Sequence, residues 1–260
     1  MPLTQFQSTL AKLLSKNRTP DSYLAGGAAL HIEPNSKRYS NDLDYFHDSE
    51  ERVASAYSED KLLLEKHHYF IKVILQYPGF VRAIISLKEE STKVEWAHDS
   101  SWRFLPTVFS EHAGYALNPI DLGINKLLAL VGRDEPRDYI DIHDVLATVL
   151  PLGALCWAAA GKDPGLTPMM IIEMLRRRGK YRPEDMMRLD LVEAVDLVKL
   201  KLSWLNAIEE AEIFIQTRNP DELGCLYYSK AKNTFVQPKN DEPVILHYGR
   251  PGGVLPMIKP

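Results

Sequence analysis

Apolar residues recur at helical spacing from the outset: Leu3, Phe6, Leu10, Leu13 and Leu14 predict a first helix over 3–16. Residues 23–25 have strand character, and Gly26-Gly27 opens a short helix running to about Ile32. Residues 42–46 alternate as a strand, and 49–67 read as a helix capped by Ser49. Three strand-forming runs follow, over 69–77, 80–87 and 92–97, the first two joined by the turn-forming pair Pro78-Gly79. A mixed, largely antiparallel sheet is expected.

From Pro119 onward the pattern turns helical. Segments 120–132, 136–150, 168–178, 183–188 and 191–216 read as helices, several with proline near the first turn, where its missing N–H costs nothing. Residues 219–260 hold five prolines after Pro220 and little periodicity, which reads as an extended tail. The expected class is α+β: a mixed β-sheet flanked by helices over 1–118, a helical C-terminal region over 119–218, and the tail over 219–260. No internal repeat is visible.

Composition narrows the function. A chain of 260 residues can bury one large core or two small ones. A net charge of -4 argues against a protein that coats nucleic acid nonspecifically, since such binding rests on surplus Lys and Arg. Cys156 and Cys225 lie far apart and form no metal-type spacing, in keeping with a reduced, cytoplasmic protein. The amphipathic start MPLTQFQSTLAKLL is too polar for a signal peptide, and the apolar run over 145–160 carries Pro151 and falls short of the ~18–20 residues a membrane span needs. A cytoplasmic location without a membrane partner is expected.

The chemistry lies in AGGAALHIEPNSKRYSNDLDYF, residues 25–46. On a strand, Asp42 and Asp44 project to one face while Leu43 and Tyr45 point to the other. One reading is a solvated strand end. The other is a metal site, because adjacent carboxylates repel unless a cation lies between them, and oxygen-only ligands suit Mg²⁺. Gly26-Gly27 lets phosphates approach backbone N–H groups closely. Together these features describe a site for a metal-bound nucleoside triphosphate.

Gly-Gly, a short helix and then Arg38, Ser40, Asp42, Leu43, Asp44 and Phe46 resemble the first motif of the AbiEii/AbiGii-type toxins, a branch of the nucleotidyltransferase (polymerase beta-like) superfamily. NKLLALVGRDEPRDYIDIHDV resembles the family's second motif, with Lys126, Arg133, Arg137, Asp138 and Asp141 in its positions. The resemblance spans residues 23–146. It implies a nucleotidyltransferase-like fold, Mg²⁺ or Mn²⁺ as cofactor, and an NTP as substrate. It implies catalytic roles for Asp42, Asp44, Lys126 and Asp141, and nucleotide contacts from Gly26, Gly27, Arg38, Ser40, Lys126, Arg133, Arg137 and Asp138. It also implies a toxin of a toxin–antitoxin or phage-defence pair, with an antitoxin as partner and the tRNA 3′ end, or another RNA, as acceptor. Where the family often has Gly-Ser or Gly-Thr, Ala28 follows the glycines, so no hydroxyl reinforces a phosphate grip there.

The second motif has its own geometry. On a helix Lys126 and Arg133 fall on one side with Ala129 between them, opposite Ile124, Leu127, Leu128 and Val131. Past Pro136, Asp141 lies at the edge of an apolar face and Asp138 between the directions of Ile142 and Val145. A carboxylate against an apolar flank needs a cation or metal. An Arg137–Asp141 pair at i,i+4 is the plainer alternative, and Arg133 is available to Asp138.

The superfamily draws a third acid from a neighbouring strand, and Glu95 in TKVEW stands for it as metal ligand or as part of a solvated strand face. Arg176–Arg182 is the densest basic cluster, read either as helix-end charge or as an RNA docking surface with Tyr181 stacking on a base. His67, His68 and His143 read as surface or packing residues. The expected activity is transfer of an NMP from an NTP to an acceptor hydroxyl, most specifically of RNA. The alternatives are a small-molecule or protein nucleotidyltransferase, or a non-catalytic nucleotide- or partner-binding module of the same fold.

Overall fold

The computed structural model describes residues 3–31, 37–239 and 242–257. The chain forms two compact units: Met1–Asn118 with Asp190–Val192 and Pro251–Gly253, and Pro119–Leu189 with Glu193–Arg250 and Val254–Pro260.

The first unit runs α1 (Gln5–Leu14), β1 (Ser22–Ala25), α2 (Gly26–Leu30), β2 (Asp42–His47), α3 (Glu50–Lys66), β3 (Phe70–Tyr77), β4 (Phe80–Leu87), β5 (Glu90–His98), and the short strands β6 (Trp102–Arg103), β7 (Val108–Ser110) and β8 (Gly114–Ala116). Seven strands make one sheet in the order β3-β4-β5-β2-β1-β8-β7. The β2–β5 and β1–β8 pairings are parallel and the others antiparallel. Local chemistry sets the helix starts. Thr4 and Gln7 form a capping box at α1, and the Ser49 hydroxyl accepts from the Arg52 N–H at α3. Pro78-Gly79 turns β3 into β4, with Gly79 at φ +75°.

One face of the sheet carries the core. Leu43 and Tyr45 of β2 and Val94 and Trp96 of β5 are fully buried, with α1 and α3 supplying Leu10, Leu14, Val53 and Leu64. Asp60 of α3 accepts from the Trp96 indole at 2.7 Å, from Asn17 at 2.9 Å and from Arg18 at 2.6 Å on each oxygen. These bonds offset the cost of burying the carboxylate. Alternate residues of β2 and β5 leave Asp42, Asp44 and Glu95 on the other face.

The second unit contains α4 (Pro119–Arg133), α5 (Pro136–Thr148), α6 (Leu152–Lys162), α7 (Pro168–Arg177), α8 (Pro183–Met186), α9 (Leu197–Gln216), and strands β9 (Leu226–Ser229), β10 (Thr234–Val236) and β11 (Ile245–His247). Tyr139, His143 and Trp204 pack ring against ring, at centroid distances of 4.7–5.8 Å. No single helix among the described residues is long and apolar enough to cross a membrane.

Several sequence expectations need correction. Residues 219–260 are not simply an extended tail: β9 is buried along its length and pairs antiparallel with both β10 and β11. A strand buried on both faces shows no alternation to read. The α6 helix escaped notice for the same reason, since Leu152–Ala160 is apolar and buried all round. The helix expected over 191–216 begins only at Leu197, where the Asp196 carboxylate accepts from the N–H groups of Val198 and Lys199. Residues 190–192 instead bond to the Lys37–Tyr39 backbone. The α2 helix ends at Leu30, and the predicted terminus at Ile32, like residues 240, 241 and 258–260 of the predicted tail, lies outside the described residues.

Candidate functional site

The parallel pairing of β2 with β5 sets Asp44 opposite Glu95 and Asp42 opposite Lys93. One ligand oxygen from each of Asp42, Asp44 and Glu95 lies within 4.8 Å of the others, a grouping that could hold a metal ion. Two unit charges 4 Å apart near a protein surface repel by roughly 4 kcal/mol, so the cluster requires positive charge. The protein supplies part of it. The Lys93 ammonium lies 2.8 Å from Asp42 Oδ2 and 3.0 Å from Glu95 Oε1, and Arg82 of β4 donates to Glu95 Oε1 at 2.8 Å. Burial pushes the Lys93 ammonium toward deprotonation, but hydrogen bonds and charge from Asp42 and Glu95 outweigh it, and its pKa is raised. Three carboxylates converging on a place that attracts a cation match the oxygen donor set of Mg²⁺ or Mn²⁺.

The glycine pair fits into this cluster by shape. Gly26 has φ +63°, and a Cβ there would lie 2.0 Å from Asp44 Oδ2. A Cβ on Gly27 would lie 2.9 Å from an Arg38 guanidinium nitrogen and 3.2 Å from Ser40 Oγ. Ser40 Oγ donates to the Asp42 carbonyl at 3.0 Å, and the buried Arg38 donates to the Tyr39 carbonyl at 2.9 Å. The first motif is thus one contiguous assembly in which the glycines leave room for the polar side chains of β2 and the segment before it.

Lys93, Arg82 and Gln7 were missed in the sequence. Gln7, besides capping α1 through its Oε1, donates through Nε2 to the Ser40 carbonyl at 2.9 Å and Thr92 Oγ1 at 3.2 Å, tying α1 to β5 and to the segment that leads into β2. The alternation of β5 places Lys93 on the Glu95 face, but its role follows only from the pairing of β5 with β2. Gln7 carried no sequence signal beyond the capping box.

The second motif forms a separate charge cluster between α4 and α5. Lys126 Nζ lies 2.8 Å from Asp141 Oδ2 and 3.4 Å from Asp138 Oδ1, with both carboxylates fully buried. Arg133 grips Asp138 with two bonds, at 2.6 and 2.9 Å. Arg137 stands apart, its buried Nε without a hydrogen-bond partner among the described residues.

Within the basic cluster, Arg176 pairs with Glu212, Arg178 with Asp134, and the Tyr181 hydroxyl with Asp134 at 2.6 Å. Burial, first, and the Asp134 bond push the Tyr181 phenol well above its ordinary value. Arg177, Lys180 and Arg182 remain exposed. His143 is a packing residue, His67 and His68 are exposed, and both cysteines are buried and free.

No protein-family model matches the chain, and no curated protein does. Solved structures do. MenT4, a nucleotidyltransferase toxin from Mycobacterium tuberculosis H37Rv, superposes with a TM-score of 0.54 at 16% identity over 83% of each chain. JHP933 from Helicobacter pylori superposes with a TM-score of 0.50 at 16% identity, over 82% of this chain and 95% of that one. The likeness establishes the fold: this chain has the nucleotidyltransferase-like architecture of the MenT4 toxin, a mixed sheet with helices followed by a helical region.

Proposed function

We propose that the protein is a metal-dependent nucleotidyltransferase that moves a nucleoside monophosphate from an NTP to an acceptor hydroxyl. The observation that carries this reading is the Asp42–Asp44–Glu95 cluster, with Gly26 set against Asp44, on a sheet of this fold. Asp42, Asp44 and Glu95 would hold Mg²⁺ or Mn²⁺, which would supply charge neutralisation at the phosphates and favour ionisation of the attacking hydroxyl. The acceptor oxygen bonds to the α-phosphorus as the bond to the leaving β-phosphate oxygen breaks. Pyrophosphate departs, and the acceptor's proton passes to a carboxylate of the cluster. The backbone at Gly26 and Gly27 faces the phosphates, with Arg38 and Ser40 beside it as further nucleotide contacts implied by the resemblance.

By resemblance, Lys126 steadies the nucleotide's phosphates; within its own unit the ammonium bonds to Asp141 and Asp138. Arg133 and Arg137 complete the nucleotide contacts. The acceptor we propose is RNA, at the tRNA 3′ end, which makes the protein a cytoplasmic toxin restrained by an antitoxin. The toxin description of MenT4 and the exposed Arg177, Lys180 and Arg182 support that choice.

The test is incubation with each α-³²P-labelled NTP, Mg²⁺ and total bacterial tRNA, beside the Asp42→Ala/Asp44→Ala variant. Label on tRNA with the wild type alone is the expected result. Label on protein or on added small molecules instead keeps the reaction and replaces the acceptor; transfer to nothing offered leaves a binding module of the same fold.

A further inference from the structure

Lys93 belongs to neither motif, yet its ammonium bridges two of the three carboxylates: 2.8 Å to Asp42 Oδ2 and 3.0 Å to Glu95 Oε1. The backbone sets the face from which it reaches them. Lys93 is paired with Asp42 across β2–β5 and stands two residues before Glu95, so all three side chains share one face. Its neighbour Thr92 is anchored to Gln7, which holds this end of β5 in register. Glu95 accepts a second cation, Arg82, at the same oxygen, so Lys93 is not needed merely to give Glu95 a partner.

We propose that Lys93 is a positioning residue for the metal: a tethered counterion that keeps Asp42 and Glu95 converged when the metal is away and competes with the metal for the same oxygens. The inference rests on the metal-site reading above. A divalent ion taking Asp42 Oδ2 and Glu95 Oε1 must share or displace a donor already bonded to both. The Lys93 side chain is one-third exposed and carries its ammonium on a flexible four-carbon stem, so it can swing clear without moving the strand. Once displaced, it remains on the metal's face as a cation beside the incoming triphosphate. Metal occupancy is thereby coupled to the arrival of an anion that gives the ammonium a new partner.

The experiment is Mn²⁺ titration by calorimetry, without and with a non-hydrolysable NTP, on the wild type, Lys93→Gln, Lys93→Arg and Asp42→Ala/Asp44→Ala, each first shown folded by circular dichroism. In the absence of nucleotide, Lys93→Gln is expected to bind Mn²⁺ about tenfold more tightly than the wild type, and Lys93→Arg within about threefold of it. With nucleotide the advantage of Lys93→Gln shrinks, because the wild type recovers through the displaced ammonium. A wild type that binds Mn²⁺ with the same Kd as Lys93→Gln overturns the role of Lys93 and leaves the metal site standing. A wild type that binds Mn²⁺ no better than the double aspartate variant overturns the metal site and this inference with it.

Discussion

Gly26 and Asp44 compete for one volume: a Cβ on residue 26 would lie 2.0 Å from Asp44 Oδ2 and 2.9 Å from its Cγ. The glycine is also held at φ +63°, a conformation other residues adopt at a cost. The two requirements reinforce each other, so the position of one of the three clustered carboxylates depends on the absence of a side chain eighteen residues earlier in the chain.

Gly26→Ala is therefore expected to displace the Asp44 carboxylate. We expect a stability loss of about 1–3 kcal/mol and a fall in nucleotidyl transfer of about a hundredfold, read by urea unfolding and by label transfer. Gly27→Ala is the control. Its Cβ meets the flexible end of Arg38 at 2.9 Å and Ser40 Oγ at 3.2 Å, with no positive φ to violate, so its stability loss should be clearly the smaller. Equal effects of the two substitutions would refute the steric account.

Asp60 and Arg18 form an ion pair at 2.6 Å with both side chains fully buried. Removing one partner leaves the other charged in the core, so Asp60→Ala should cost about 3–5 kcal/mol in denaturant unfolding. The Arg18→Met/Asp60→Leu double variant should recover most of that loss. Because Asp60 lies against Trp96, on the sheet face away from Glu95, the folded variants should bind Mn²⁺ as the wild type does. A shifted Kd in the double variant would contradict the separation of the two faces.

His47 ends β2 fully buried, and neither ring nitrogen has a hydrogen-bond partner among the described residues. Burial, and then the charges of Arg18 and Arg52 against a smaller opposing effect of Asp21, push its pKa down to about 3. Its unfolded value is near 6.5, so between these limits the unfolded chain binds the extra proton. The neutral imidazole's contribution is complete above about pH 6.5 and is lost as pH falls toward 3, amounting to on the order of 2–5 kcal/mol. Unfolding free energies measured from pH 7.5 to 4 should show this slope, and His47→Leu should flatten it. An unchanged slope in the variant would assign the acid sensitivity to other groups.

Local rules carried the sequence reading where they acted alone. The period-two alternation of residues 42–46, the Ser49 cap and the Pro78-Gly79 turn each work within a few residues, and β2, α3 and the β3–β4 hairpin follow them. The same alternation put Asp42 and Asp44 on one face. Glu95 was different, because its own strand left open whether its face met solvent or other carboxylates.

By itself the sequence determined which side chains share a strand or helix face: Asp42 with Asp44, Lys93 with Glu95, Lys126 with Arg133. Those relations follow from backbone periodicity, which needs no partner. Only the tertiary structure decided which faces meet. The parallel register of β2 and β5 places Asp44 opposite Glu95 and brings Lys93 onto Asp42, while the close approach of Gly26 sets the space around Asp44. A one-residue slip in that register would send Glu95 to the core side, and register is set by the burial of Leu43, Tyr45, Val94 and Trp96 together, a property of two strands whose paired residues lie 51 apart in the chain rather than of either alone.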